Sequence, residues 1–175
     1  MQENLPLRPN WKRALVCLTC LAALLPGCGG GPKKPLETRA VRGADYQFSA
    51  PAGWLVSRKS HVVSALRPGS ANDLVSVSRY LLPRVPTSAQ IDAAARQLAR
   101  ALGGSVDEQS IVSVAGRAAP RYDLSYSRKG DELGLQLVFV LRGRREYQLL
   151  CRWLKPEDDG TSSACETLAT SFTLS

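Results

Sequence analysis

The cysteines and the single histidine are the residues of this chain best suited to nucleophilic, redox or metal chemistry. There are five cysteines and one histidine: Cys17, Cys20, Cys28, Cys151, Cys165 and His61. A Ser/His/Asp or Cys/His catalytic arrangement would have to use His61, but its neighbours are valines at a predicted strand start, with no nucleophile motif nearby. A four-ligand zinc site is also disfavoured, because His61, Cys151 and Cys165 supply too few ligands. The sequence therefore predicts no catalytic residue, no metal site and no cofactor.

The N-terminus has the organisation of an export signal. Arg8, Lys12 and Arg13 supply positive charge, and an apolar stretch from Ala14 to Leu25 follows them. The stretch has 12 residues, whereas a helix that crosses a membrane needs about 20. A permanent transmembrane anchor is therefore disfavoured.

Leu25, Gly27 and Cys28 resemble the Leu-x-Gly-Cys signal of bacterial lipoproteins. The resemblance implies that residues 1–27 are removed and that Cys28 becomes an N-terminus carrying diacylglyceryl and palmitate-type lipid, which holds the protein stably on a bilayer. The predicted location is the extracytoplasmic face of the cell membrane: the outer face of a plasma membrane, or the periplasmic side where an outer membrane exists. Plain secretion and an uncleaved anchor are the alternatives.

The remaining cysteines favour a disulfide. Removal of the signal takes Cys17 and Cys20 and the lipid takes Cys28, so that Cys151 and Cys165 are left as an even pair in an oxidising compartment. A bond between them would close a loop of roughly 15 residues and contribute up to about 3 kcal/mol. Two free buried thiols in a cytosolic protein are the alternative.

The charge of the chain is basic. The formal net charge is +8 at pH 7, and it falls to +6 without residues 1–27, which contain three basic residues and one acidic residue. Arg142, Arg144 and Arg145 cluster at a predicted hairpin tip, where they could contact anionic lipid headgroups or a cell-wall polyanion. The alternative is a solvated surface that serves solubility. Nucleic acid is not a predicted partner, since no aromatic residues are interleaved with these arginines.

The elements that position these residues follow from hydrophobic periodicity. Residues 28–43 have no apolar period and are predicted as a flexible tether that begins at Cys28, followed by one domain over 44–175. A capping box precedes a helix over about 88–102, and a short C-terminal helix is predicted over about 162–171. Strands are predicted over 46–49, 54–57, 61–66, 74–82, 109–114, 121–127, 133–141 and 146–154. The short spacers between them favour an antiparallel sheet in an α+β fold.

The start of the domain is similar to that of a known superfamily. Phe48, Pro51, Gly53 and Trp54 match the F-x-x-P-x-G-W opening of PsbP-like proteins, and the later order of strands and helices is similar too. The superfamily includes the extrinsic photosystem II protein and many bacterial lipoproteins. The resemblance spans nearly all of 44–175. It implies an α/β/α sandwich, a central antiparallel sheet flanked by helices, that serves as a binding or assembly module and not as an enzyme.

The predicted function is that of a membrane-anchored extracytoplasmic lipoprotein that binds an envelope protein partner without catalysis. The alternative is a small-ligand carrier or sensor with a cleft between the sheet and a helix. In that alternative, residues such as Trp54 and Leu98 would line the cleft.

Overall fold

The computed structural model describes residues 36–156 and 159–175. The predicted signal peptide of residues 1–27, the predicted lipidation at Cys28 and the tether up to residue 35 lie outside the described residues. The elements are β1 (Thr38–Arg42), β2 (Tyr46–Pro51), β3 (Leu55–Lys59), β4 (Val62–Leu66), β5 (Leu74–Leu81), α1 (Ser88–Ala101), β6 (Ser105–Val114), β7 (Arg117–Arg128), β8 (Asp131–Arg142), β9 (Arg145–Leu154), α2 (Asp159–Ser171) and β10 (Thr173–Leu174).

A seven-stranded antiparallel sheet forms the centre of the fold, with the order β3-β4-β5-β9-β8-β7-β6. Tight turns join its four long strands. The turn between β7 and β8 contains Lys129 and Gly130, whose φ values of 55° and 89° suit the two-residue turns that match strand twist. Ala115 and Gly116, with φ values of 50° and 69°, do the same between β6 and β7. These local turns give the four strands an up-and-down order.

The two faces of the sheet bury two separate hydrophobic clusters. Along β8 the side chains alternate: Leu133, Leu135, Leu137 and Phe139 belong to the cluster that contains α1, and Val138 and Val140 belong to the one that contains α2. In α1 the buried residues are Ile91, Ala95 and Ala99, whose small alanines allow close approach to the sheet. In the part of the chain that the structure describes, one helix covers each face, and the predicted α/β/α sandwich is confirmed.

Helix α1 begins as the sequence predicts. The Thr87 side chain accepts a hydrogen bond from the backbone of Gln90, and the Gln90 side chain accepts one from the backbone of Thr87 at 3.0 Å. This reciprocal pairing satisfies two backbone donors that a helix start leaves without partners. The helix ends at Ala101 with Leu102 as its C-cap, before Gly103 at a φ of 73°.

A small second sheet, in the order β1-β2-β10, packs beside α2. Phe48 of β2 and Phe172, which follows α2, are both fully buried in the cluster on this side. Helix α2 lies against β2, β5 and β9. Among the described residues, no helix covers the same face of β6, β7 and β8.

Some sequence predictions are wrong in detail. The tether prediction is wrong over 38–42, because β1 pairs with β2 along its length and buries Val41 to 1% exposure. Val41 is the one buried residue of this edge strand, so the strand has no apolar alternation. Helix α2 begins at Asp159, three residues before the predicted start, and β10 was not predicted. Ala94 lies at helical spacing from Ile91 and Leu98, which predicts burial on the same stripe of α1, but it is exposed.

Both hydrophobic clusters lie within one compact unit, Pro35–Ser175, which therefore has its own core. Among the described residues, no helix combines the length and hydrophobicity that crossing a membrane would require.

Candidate functional site

A groove of about 610 Å³ lies between α2 and the half of the sheet that α2 leaves uncovered. We call it the α2 groove. Strands β6 to β9 form its floor and α2 forms one wall. Its lining combines apolar and charged side chains: Val112, Ser113, Val114, Arg121, Asp123, Gln136, Val138, Trp153, Ser162, Cys165, Glu166, Ala169 and Thr170. Small-molecule sites have volumes of about 300 to 1,000 Å³, and the groove lies in this range.

Charged groups lie at the centre of the floor. Arg121 and Asp123 are two positions apart on β7, so their side chains lie on the same face of the strand. The guanidinium binds the carboxylate through both prongs, with Nη2–Oδ2 at 2.6 Å and Nε–Oδ1 at 3.1 Å. Gln136 of β8 is the register partner of Asp123 of β7, and its amide oxygen, turned toward Arg121, accepts from Nη2 at 2.9 Å and from Nε at 3.1 Å. A fixed polar group beside apolar side chains is suited to orienting a bound partner.

Trp153 forms the apolar part of the floor beside this polar group. It is paired with Gly134 of the neighbouring strand, and its indole lies across that glycine. A Cβ added at Gly134 would be 2.2 Å from the indole Cε2. Only glycine therefore leaves room for the observed position of Trp153.

Cys151 of β9 and Cys165 of α2 lie at disulfide distance, with 5.4 Å between their Cα atoms. Both side chains are buried, at 1% and 6% exposure. Because Cys165 also lines the groove, this pair fixes the α2 wall against the sheet that forms the floor. The structure thus brings together the two cysteines that the sequence pairs.

His61 lies away from the groove, in the exposed turn between β3 and β4. Its Nδ1 is 3.1 Å from Ser60 Oγ, and its ring centre is 5.1 Å from that of Tyr80. No carboxylate within the described part of the chain hydrogen-bonds to this ring, so Ser60 and His61 lack the third group that orients a catalytic histidine. Over the same residues, no group of three or more histidine, cysteine, aspartate or glutamate side chains is placed to hold a metal ion.

The cleft predicted between Trp54 and Leu98 does not form. Trp54 is 7% exposed and belongs to the cluster on the α2 side, whereas Leu98 packs into the cluster on the α1 side. The sheet separates the two residues. The interpretation was wrong because periodicity identifies a buried face but not which side of the sheet that face covers.

The three predicted arginines share the β8–β9 hairpin end but have different partners. Arg142 donates to the main-chain oxygen of Ser175 at 2.6 Å, and Arg144 donates to that of Pro83 at 3.4 Å. Arg145 pairs with Asp45 at 3.5 Å. They point to different neighbours and form no single pocket.

Three buried tyrosines have hydroxyls with raised pKa values, and none lines the α2 groove. Burial, assisted by the nearby Asp45 charge, raises the pKa of Tyr46 to about 12. Burial and a 2.9 Å hydrogen bond to Asp45 raise the pKa of Tyr147. Burial and a hydrogen bond to Asp92 raise the pKa of Tyr122. These hydroxyls stay protonated and act as structural donors.

Sequence reasoning did not identify Arg121, Asp123 and Glu166 as a group. A signal was present in β7, where charged and polar residues alternate with the buried Tyr122 and Leu124. Alternation of this kind is also typical of a solvated strand face. The position of α2 decides whether this face of β7 lines a groove or is merely solvated, and the sequence of β7 does not specify that position.

Solved structures of other proteins have a fold similar to that of this domain. No protein-family model and no curated protein sequence matches the chain. Among solved structures, cyanobacterial PsbP (CyanoP) from Synechocystis superposes with a TM-score of 0.62 at 12% identity, over 85% of this chain and 97% of the other. The domain has a PsbP-like fold. The predicted fold resemblance is therefore confirmed.

Two further structures resemble this PsbP-like domain. LpqN of Mycobacterium tuberculosis, which is involved in cell envelope biogenesis, has a TM-score of 0.50 at 18% identity over 79% of this chain and 91% of its own. A protein of Bacteroides thetaiotaomicron has a TM-score of 0.52 at 12% identity over 74% of this chain. The present chain spans 45% of that larger protein. At these identities the likeness concerns the fold.

Proposed function

We propose that this chain is a membrane-anchored extracytoplasmic lipoprotein whose PsbP-like domain binds an envelope protein partner in the α2 groove, without catalysis. The α2 groove is the main support for this proposal. It is a concave surface with a fixed Arg121–Asp123 pair at its centre and Trp153 beside it.

The composition of the groove favours a polypeptide partner. Val112, Val138 and Ala169 can receive an apolar side chain, while the Arg121–Asp123 pair on the floor and Glu166 on the wall offer polar contacts. Aromatic and arginine side chains are the types that most often dominate binding energy at protein interfaces.

Two observations support an envelope setting and a non-enzymatic role. One solved relative by fold is involved in cell envelope biogenesis. His61, the single histidine of the sequence, lies in a turn outside the groove. The lipidation of Cys28 remains a prediction from the sequence and forms part of this proposal.

Binding of a partner in the α2 groove is tested by a substitution that fills the groove. Thr170→Trp places an indole over the floor from an exposed position of α2. The full chain carrying this substitution should lose a partner that co-purifies with the unaltered chain from native membranes. Gln97→Trp, at an exposed position of α1, is the matched control and should retain the partner. Retention by both variants, or loss by both, would overturn the assignment to the groove.

Anchoring is tested separately. Cys28→Ala should abolish acylation, detected by mass spectrometry, and release the protein from washed membranes. A Cys28→Ala protein that fractionates with membranes as the unaltered chain does would contradict the lipid anchor. This result would leave the groove assignment intact, since the two experiments report on different parts of the chain.

A small-ligand carrier is the second candidate, and the volume of about 610 Å³ favours it. The ligand would lie between the sheet and α2, and not beside Leu98 as first predicted. Native mass spectrometry of the gently purified chain should then show a bound mass that Thr170→Trp removes. A protein without such a mass, together with a protein partner that the same substitution removes, would exclude the carrier.

A further inference from the structure

One end of the large sheet concentrates arginines on neighbouring turns. Arg84 follows β5, Arg117 begins β7, and Arg142 and Arg144 flank the β8–β9 turn. All four side chains belong to exposed residues. The antiparallel register brings these positions together, because Leu81 at the end of β5 pairs with Arg145 at the start of β9. We call this set of four residues the arginine end.

Acidic side chains at this end are already engaged. Asp45 binds Arg79 at 3.1 Å and Arg145 at 3.5 Å. Glu146 is 8% exposed and accepts a hydrogen bond from Gln148 at 2.7 Å. Within residues 36–156 and 159–175, no carboxylate side chain pairs with the four residues of the arginine end. Arg142 and Arg144 each donate one hydrogen bond to a main-chain oxygen, of Ser175 and of Pro83, but all four arginines remain exposed to solvent.

Two large aliphatic side chains are exposed among these arginines. Leu81 is 70% exposed and Val85 is 55% exposed. The loop that contains them is held to the β8–β9 turn, since the Leu82 amide donates to the Arg144 carbonyl at 2.8 Å and the Arg144 side chain donates to the Pro83 carbonyl. Exposed aliphatic groups and exposed arginines thus lie on hydrogen-bonded neighbouring segments at this end of the sheet.

We propose that the arginine end binds the surface of an anionic lipid bilayer, with the guanidinium groups on lipid phosphates and with Leu81 and Val85 inserted among the headgroups. Arginine forks match phosphate geometry, and an anionic leaflet attracts basic residues close to it. A soluble polyanion would use the arginines but would give no reason for exposed aliphatic side chains between them. Apolar groups beside basic ones are typical of surfaces that lie in a membrane interface.

This contact is independent of the predicted lipid anchor. β1 runs toward the arginine end, because Asp45, three residues after that strand, pairs with Arg145. The first described residues, before β1, therefore lie toward the other end of the domain. The contact can be measured on the unlipidated fragment 35–175, which contains the whole core.

The experiment is co-sedimentation of fragment 35–175 with vesicles of phosphatidylglycerol or of phosphatidylcholine. Binding is expected to the anionic vesicles and should weaken as salt rises. Each basic residue near an anionic leaflet strengthens binding by about fivefold. Arg142→Gln combined with Arg144→Gln should therefore lower the partition coefficient of the fragment onto the anionic vesicles about 25-fold. Arg128→Gln combined with Lys129→Gln removes the same charge from the β7–β8 turn at the opposite end of the sheet. This control should change binding less than about threefold, because its charges lie far from the bound leaflet.

The aliphatic part is tested by Leu81→Ser with Val85→Ser, which should also weaken binding, whereas Leu55→Ser at the other end should not. Equal losses in the two charge variants would overturn the proposal in favour of a net-charge effect. Vesicle binding unaffected by the serine pair and abolished by polyphosphate would assign the surface to a soluble polyanion and overturn the lipid contact. Circular dichroism of each variant confirms that the fold is intact.

Discussion

Replacing Gly134 by alanine tests whether the Trp153 indole lies over Gly134, where it forms part of the floor of the α2 groove. The new Cβ would lie 2.2 Å from the indole Cε2 and 2.4 Å from Cζ2 and Nε1, whereas ordinary contacts begin at 3.4 Å. The indole must therefore move by more than about 1 Å or the strand must shift. Overpacking of this kind costs about 1–3 kcal/mol. Because Trp153 is half-buried and can move toward the groove, we expect Gly134→Ala to lower the free energy of unfolding by about 2 kcal/mol.

Urea unfolding of fragment 35–175 measures this cost, and tryptophan fluorescence reports on the displacement. Trp54 and Trp153 are the only tryptophans of that fragment, and Trp54 is buried. Quenching by acrylamide should therefore increase in Gly134→Ala as the Trp153 indole moves outward. Gly53→Ala is the matched control, because its new Cβ would have no heavy atom within 4 Å.

Equal changes in the free energy of unfolding for Gly134→Ala and Gly53→Ala would contradict a clash between residue 134 and the Trp153 indole. A double variant adds a second check. In a Trp153→Leu background the cost of Gly134→Ala should largely disappear, since the clashing ring is gone. An undiminished cost there would mean that another neighbour of Gly134 causes the instability.

The other predictions concern the disulfide, alkaline pH and the helix cap. Reduction, or Cys151→Ala with Cys165→Ala, should lower the free energy of unfolding by about 3 kcal/mol for a loop of this length. Peptide mapping without reductant should recover both cysteines in one linked pair, and two alkylatable thiols would contradict the bond. Because the folded pKa of Tyr46 is about 12, the folded state retains a proton that the unfolded state releases above pH 10. Tyr46 should therefore account for about 2 kcal/mol of the loss of stability between pH 10 and 12, to which Tyr122 and Tyr147 add, and an equally large loss in Tyr46→Phe would exclude its hydroxyl as a source. Thr87→Ala should cost about 1 kcal/mol in thermal unfolding, whereas Ser88→Ala, at the exposed first residue of the helix, should be nearly neutral.

The elements with strong local signals were predictable. Helix α1 has both a capping box at Thr87 and an apolar stripe, and these signals are independent of the rest of the chain. The four long strands were predictable in type and order, because tight turns such as Lys129–Gly130 make their pairing local. The pairing of Cys151 with Cys165 was predicted from the number of cysteines left after signal removal and lipidation and from the predicted oxidising compartment. It required no knowledge of which elements the two residues join.

Features that depend on how elements pack were not predictable. β1 and β10 are short and are stabilised by β2, so their own residues carry little pattern. Leu98 was wrongly placed on the same side of the sheet as Trp54, because the apolar stripe of a helix can pack on either side of a sheet. The α2 groove exists because α2 covers β9 and leaves β7 open, and nothing within the Arg121–Asp123 segment specifies that arrangement.

Site-specific photo-crosslinking of the full chain in its native cells tests most directly whether the α2 groove binds a partner. A photoreactive residue at Glu166, on the wall of the α2 groove, is compared with one at Ala94, an exposed position of α1 on the opposite face. The groove assignment predicts a discrete crosslinked partner from position 166 that Thr170→Trp removes, and none from position 94. A partner crosslinked from position 94 and not from position 166 would contradict it.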